Sequence, residues 1–112
     1  MATETLTEQA FEPLADEALH RLEGALADLD GVEVSLEMGI LTLEFPDGAR
    51  YVINSHRAAR QIWMAAEHNA WHFDYQPALG TWIAAKSGDE LQATIAAVTS
   101  RKLGRPVSLG TP

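Results

Sequence analysis

The sequence predicts an α+β fold, a two-layer α/β sandwich in which two helices pack on one face of a six-stranded antiparallel sheet. Three observations carry this expectation. Apolar residues recur at three- and four-residue steps near the start of the chain. Through the middle they alternate with polar residues, and before the end they return to helical spacing behind a capping signature.

The first helix carries Phe11, Leu14, Ala15, Ala18, Leu22, Ala25, Leu26 and Leu29 on one face. Thr5 or Thr7 is its expected cap and Gly31 its expected stop. Pro13 removes one backbone hydrogen bond and clashes with the carbonyl four residues back. The helix is therefore expected either to kink in its first turn or to become regular only near residue 12.

From Val32 the period changes to two. VEVSLE sets Val32, Val34 and Leu36 inward and Glu33, Ser35 and Glu37 outward; ILTLEF repeats this with Leu41, Leu43 and Phe45 inward and Thr42 and Glu44 outward. Met38-Gly39 suits a tight hairpin, and Pro46-Asp47-Gly48 turns into a third strand, ARYVIN. RQIWMA, AWHFDY and TWIAAK read as three more strands, the last two separated by QPALG. Ser87-Gly88-Asp89-Glu90 matches a capping box and opens a helix through Leu91, Ile95 and Val98, with Arg101 and Lys102 in its last turn and Gly104 after it. The tail RPVSLGTP is expected to be extended, laying Val107 and Leu109 on the core. There is no internal repeat, linker or low-complexity segment.

A chain of 112 residues makes one domain, residues 1–112, with a single modest core. The absence of cysteine excludes a disulfide framework, a thiol nucleophile and thiolate-held metal. No apolar run is long enough to span a membrane, and MATETLTEQA has neither the basic start nor the apolar core of a secretory signal. A cytoplasmic location is expected.

The formal net charge of −8 is unevenly spread. Residues 1–47 hold twelve acids and one base, Arg21, for a net of −11, whereas residues 48–112 hold four acids and seven bases, for a net of +3. Such a field disfavours nucleic acid and anionic membranes and favours cations or basic protein surfaces. A merely solubilising surface is the competing reading.

On a helical wheel Glu12, Asp16, His20, Glu23 and Asp30 fall on one flank beside the apolar face, with Glu17 and Asp28 on the other. Asp28 and Asp30 sit at the carboxyl end, where the helix dipole is already negative. Glu33 and Glu37 of the first strand, and Glu44 of the second, extend the stripe into a ridge if that strand runs beside the helix. Each like-charge neighbour costs about 0.2–0.5 kcal/mol and each misplaced acid about 0.3–1 kcal/mol at low salt. Nothing in folding asks for that cost. A hard cation held by oxygens, such as Fe²⁺, Fe³⁺, Ca²⁺, Mg²⁺ or Mn²⁺, would offset it, and so would a basic partner surface. No EF-hand spacing, His-x-x-x-His or HExxH selects a particular metal.

His20 joins the stripe as a candidate ligand or is a solvated surface residue; His56, His68 and His72 are scattered, with His72 sharing a strand face with Asp74. No nucleophile, phosphate loop or catalytic constellation is assembled. Trp71 and Trp82 read as core. Trp63 shares its strand face with Gln61 while Ile62 and Met64 occupy the other, which makes it either an exposed interface anchor on the open sheet or a further core residue.

GILTLEF–DG–YVIN, Gln61-Ile62-Trp63, His72-Phe73-Asp74 and Trp82, in this order, resemble the frataxin family from about Phe11 to Leu109. The segment Asn54-Ser55-His56-Arg57-Ala58 departs from the usual family pattern of a basic residue and Gln after the Asn, with Pro two residues further on. Ala27 stands where close relatives tend to carry an acid, and Pro13 is unusual. The resemblance implies a non-enzymatic protein that binds Fe²⁺ or Fe³⁺ weakly and is a monomer when free of metal. It also implies docking on cysteine desulfurase and modulation of cluster formation on the iron–sulfur scaffold. Carried over residue by residue, the ridge is Glu12, Asp16, Glu23, Asp28, Asp30, Glu33 and Glu37, with Asp28, Asp30, Glu33 and Glu37 also facing the partner and Asn54, Gln61 and Trp63 on the open sheet face. A ferroxidase and a general acidic adaptor are the alternatives.

Overall fold

Thr7 opens the first helix, its side-chain hydroxyl accepting the N–H of Ala10 at 3.0 Å. The computed structural model describes residues 6–109, so Thr5 lies outside the described residues. The helix α1 spans Glu8–Ala27. Pro13 neither delays its start nor interrupts it, since the chain is helical from Glu8 and the N–H of Phe11 already reaches the Thr7 carbonyl at 2.8 Å. Pro13 itself points to solvent, and its missing donor falls near the exposed start of the helix. The helix also stops earlier than the apolar spacing predicts. Asp28 is its C-cap, so Leu29 packs on the core from the connection and Asp30 is no longer a helical position.

Six strands follow without interruption: β1 (Glu33–Glu37), β2 (Ile40–Glu44), β3 (Arg50–His56), β4 (Gln61–Ala66), β5 (Asn69–Gln76) and β6 (Thr81–Ala84). Each pairs antiparallel with its neighbour in sequence, leaving β1 and β6 outermost. A second helix, α2, spans Leu91–Leu103 and ends on Gly104 at φ 70°. Period-two alternation decides which sheet face is covered. Leu41, Leu43, Phe45, Tyr51, Ile53, Ile62, Met64, Phe73, Trp82 and Ala84 are buried against Phe11, Ala15, Leu19, Leu22 and Leu26 of α1 and Leu91, Ile95 and Val98 of α2. Leu19, absent from the predicted apolar face, is 1% exposed and part of this core. Trp82 meets Phe11 and Tyr75 edge-on, with centroids 5.7 and 5.2 Å apart.

The predicted capping box is displaced. Ser87 does not open α2; its hydroxyl accepts the Asp89 N–H at 3.3 Å instead. Glu90 is the N-cap, its carboxylate accepting the N–H groups of Gln92 and Ala93 at 3.0 and 2.8 Å. A carboxylate at a helix amino terminus also matches the dipole. The Thr81 hydroxyl donates to Glu90 at 2.6 Å, tying this cap to β6. After α2 the tail runs back over the helix. Val107 N–H donates to the Ser100 hydroxyl at 2.9 Å, and Gln92 donates to the Leu109 carbonyl at 2.6 Å as Leu109 packs on the core.

Candidate functional site

The end of α1 and the outermost strand form one acidic border. α1 packs against β1, and Glu12 and Asp16 share a groove with Met38-Gly39 at the far end of β1, so the strand runs back along the helix. Glu12, Asp16, His20, Asp28, Asp30, Glu33 and Glu37 are all exposed, and Glu23 is half-buried. The two ends of this border differ.

At the amino-terminal end the charges are occupied. Arg57, from the turn after β3, lies 2.9 Å from Glu8 and 3.1 Å from Glu12. His20 Nδ1 sits 2.9 Å from the Asp16 carbonyl oxygen and 3.3 Å from its carboxylate. That backbone hydrogen bond first, then the Asp16 charge, and more weakly that of Glu23, raises the His20 pKa above its ordinary value. Glu17 pairs with Arg21 at 2.7 Å on the other flank. At the carboxyl end, by contrast, the side chains of Glu23, Asp28, Asp30, Glu33 and Glu37 have no hydrogen bond or ion pair among the described residues. Glu33 stands directly across from Glu44, a like-charge cross-strand pair that Arg50 relieves by bonding Glu44 at 3.3 Å.

The bases of the second half do not reach this border as free charges. Arg101 binds Glu67 at 2.7 Å, and this hydrogen bond above all holds the Glu67 carboxyl below its usual range. Lys102 binds Asp47 and lowers its pKa likewise. Arg105 donates to the Asp30 carbonyl at 2.8 Å, leaving the Asp30 carboxylate open. Arg50, Arg57, Arg101 and Lys102 are thus paired with the chain's own carboxylates, while the carboxyl end of the border faces solvent.

As a metal site the border is open. Among the described residues, no three histidine or carboxylate side chains converge so as to hold a metal ion. The donors are oxygens strung along a line, a set suited to weak binding of hard cations and not to an enclosed coordination sphere.

The open sheet face carries the second part of the site. Cross-strand register sets Glu37, Ile40, Asn54, Trp63 and His72 in one row and His56, Gln61 and Asp74 in the next. Trp63 is half-buried on this face, not in the core, with its indole N–H donating to Gln61 at 2.8 Å and Gln61 in turn donating to Asp74 at 3.0 Å. His56 and His72 stack on its two sides, with centroids 3.8 and 4.3 Å away. Trp71 packs on the core face, as expected, and its N–H reaches Asp89 at 3.1 Å. Sequence reasoning missed His56 and Arg57 as parts of the site. Both lie in the segment that departs from the family pattern, and period-two parity already places His56 on the face of Asn54.

The fold is a two-layer helix-on-sheet domain with exposed carboxylates along one border and an open aromatic sheet face. The chain belongs to the frataxin family: residues 4–105 match the family model of the frataxin-like domain. It is 36% identical over 102 residues to the iron-sulfur cluster assembly protein CyaY of Azotobacter vinelandii, covering 89% of this chain and 92% of that one. It is 35% identical over 109 residues to the CyaY of Ralstonia nicotianae, covering 93% and 95%. Among solved structures, the frataxin of Psychromonas ingrahamii matches with a TM-score of 0.85 and 27% identity, over 94% of this chain and 99% of that one.

Proposed function

We propose that this protein is a non-enzymatic, iron-binding regulator of iron–sulfur cluster assembly, docking through its acidic ridge on cysteine desulfurase in the cytoplasm. The observation that carries the reading is that Glu23, Asp28, Asp30, Glu33 and Glu37 make no hydrogen bond or ion pair among the described residues, while Arg50, Arg57, Arg101 and Lys102 bind the chain's own acids. The CyaY relatives, named for iron–sulfur cluster assembly, support the same role. A field of this sign steers the protein onto a basic surface and makes the encounter salt-sensitive. Asn54, Gln61 and Trp63 add contact area on the open sheet face. Iron binds weakly along the ridge, and the metal-free protein is a monomer.

Replacing Asp28, Asp30 and Glu33 together by Lys should abolish desulfurase binding while circular dichroism stays unchanged; retained affinity would refute the docking. An NMR titration of the metal-free protein with ferrous iron should perturb the ridge amides, and an unperturbed ridge removes iron from the reading. A ferroxidase is not favoured, because it would need two metals held about 3.5–4 Å apart by bridging carboxylates and histidine. The described side chains do not converge in that way.

A further inference from the structure

Met38 breaks two local rules at once. It occupies the first turn position between β1 and β2 at φ 52°, a left-handed conformation that such hairpins normally give to Asn, Asp or Gly. Its side chain is also 98% exposed, the most exposed of the large apolar residues described. The tip is pinned. Gly39 follows at φ 75°, the Ser55 N–H donates to its carbonyl at 2.9 Å, and a Cβ there would lie 2.6 Å from the Ser55 hydroxyl oxygen. Clamped to β3 in this way, the turn holds Met38 outward, with a side chain in solvent instead of in the core. Neither feature serves the isolated fold, and residues that break local rules without a folding gain mark functional positions.

The surroundings say what Met38 meets. Glu37, without an ion pair among the described residues, precedes it; Arg57 lines the groove beside it together with Glu12 and Asp16; and Ile40, 46% exposed, continues along the open face in the row of Asn54 and Trp63. We propose that Met38 is an apolar anchor at the end of the acidic ridge, inserting into a recess rimmed by basic side chains on the partner protein. The inference rests on the docking reading above and adds to it a contact that charge alone does not supply. An anionic membrane is a poor occupant, since the net charge of −11 over residues 1–47 would repel it. A rigid turn loses little freedom on binding, which favours the protein occupant further.

The test uses Met38→Asn and Met38→Gly, both suited to the turn, and Met38→Leu, which keeps an apolar tip. Each is titrated against cysteine desulfurase at two ionic strengths beside the unaltered protein and the triple lysine variant. Met38→Asn and Met38→Gly should lower affinity about 10-fold at both ionic strengths without lowering the melting temperature. Met38→Leu should retain most of the affinity, and the triple lysine variant should show no binding at either ionic strength. Unchanged affinity of the Asn and Gly variants overturns the anchor and leaves the ridge docking intact. A desulfurase that ignores the unaltered protein overturns both. Sedimentation of the protein alone supplies the last arm: self-association abolished by Met38→Asn would make a second copy the occupant and overturn the proposal.

Discussion

The imidazole of His56 lies on the indole of Trp63, with ring centroids 3.8 Å apart and planes 21° from parallel. His72 covers the other side at 4.3 Å and 13°. Removing one ring exposes a face of the indole to water. His56→Ala should therefore shift the tryptophan emission to the red and cost about 0.5–1.5 kcal/mol of stability in urea denaturation. Unaltered emission would show that the stack does not persist in solution.

The Glu67–Arg101 pair ties the β4–β5 turn to α2, and its pH dependence has a definite sign. Arg101 holds the Glu67 carboxyl below its usual value of 4.5. Its contribution to stability is therefore fully present above 4.5 and is lost as pH falls through the lower, folded value. Arg101→Gln should lower the urea midpoint at neutral pH. That difference should vanish in urea melts run well below the ordinary carboxylate range.

Thr99 of α2 is fully buried, and its hydroxyl has no partner among the described residues. Thr99→Val retains the shape and removes a desolvated polar atom, so it should stabilise the fold by about 1 kcal/mol. Calorimetry should show a melting temperature higher by roughly 4 °C. A lower melting temperature would mean that the hydroxyl is satisfied in solution.

His20 should titrate above 6.5 by NMR. Any stabilisation it brings is complete below 6.5 and fades as pH rises through the folded pKa. Asp16→Asn removes the neighbouring charge but preserves the backbone carbonyl that is the larger cause. The midpoint should fall only part of the way back, and a complete return would assign the shift to the carboxylate alone.

Local patterns were legible wherever one physical rule acted alone. The alternation of Val34 and Leu36 with Glu33, Ser35 and Glu37, and of Leu41 and Leu43 with Thr42 and Glu44, assigned both strands and their buried side. Competing signals produced the misplacements. Ser87 and Glu90 together satisfy the capping-box pattern, yet Glu90 alone caps α2 and Ser87 stays in the preceding turn. Leu29 keeps the helical spacing although the helix ends at Ala27. The exposed carboxylates were legible as composition and parity, whereas Trp63 stood between core and open face until its register with Asn54 and His72 placed it. The division of the border into an occupied and an open end was not legible, because that depends on Arg57 folding back onto Glu8 and Glu12. No spacing rule encodes a contact between a helix and a turn so distant in the chain.

Among the described residues the outermost strand β1 has a strand partner on one side only, β2. Its other edge offers a template to which another extended chain can add. Glu33 and Glu37 stand along that edge, so two molecules approaching β1 to β1 bring matching negative charges together. The carboxylates that would receive a cation or a basic surface thus also keep the sheet from growing between copies of the protein. Acid, or a metal that neutralises the ridge without covering it, lifts that protection along with the charge.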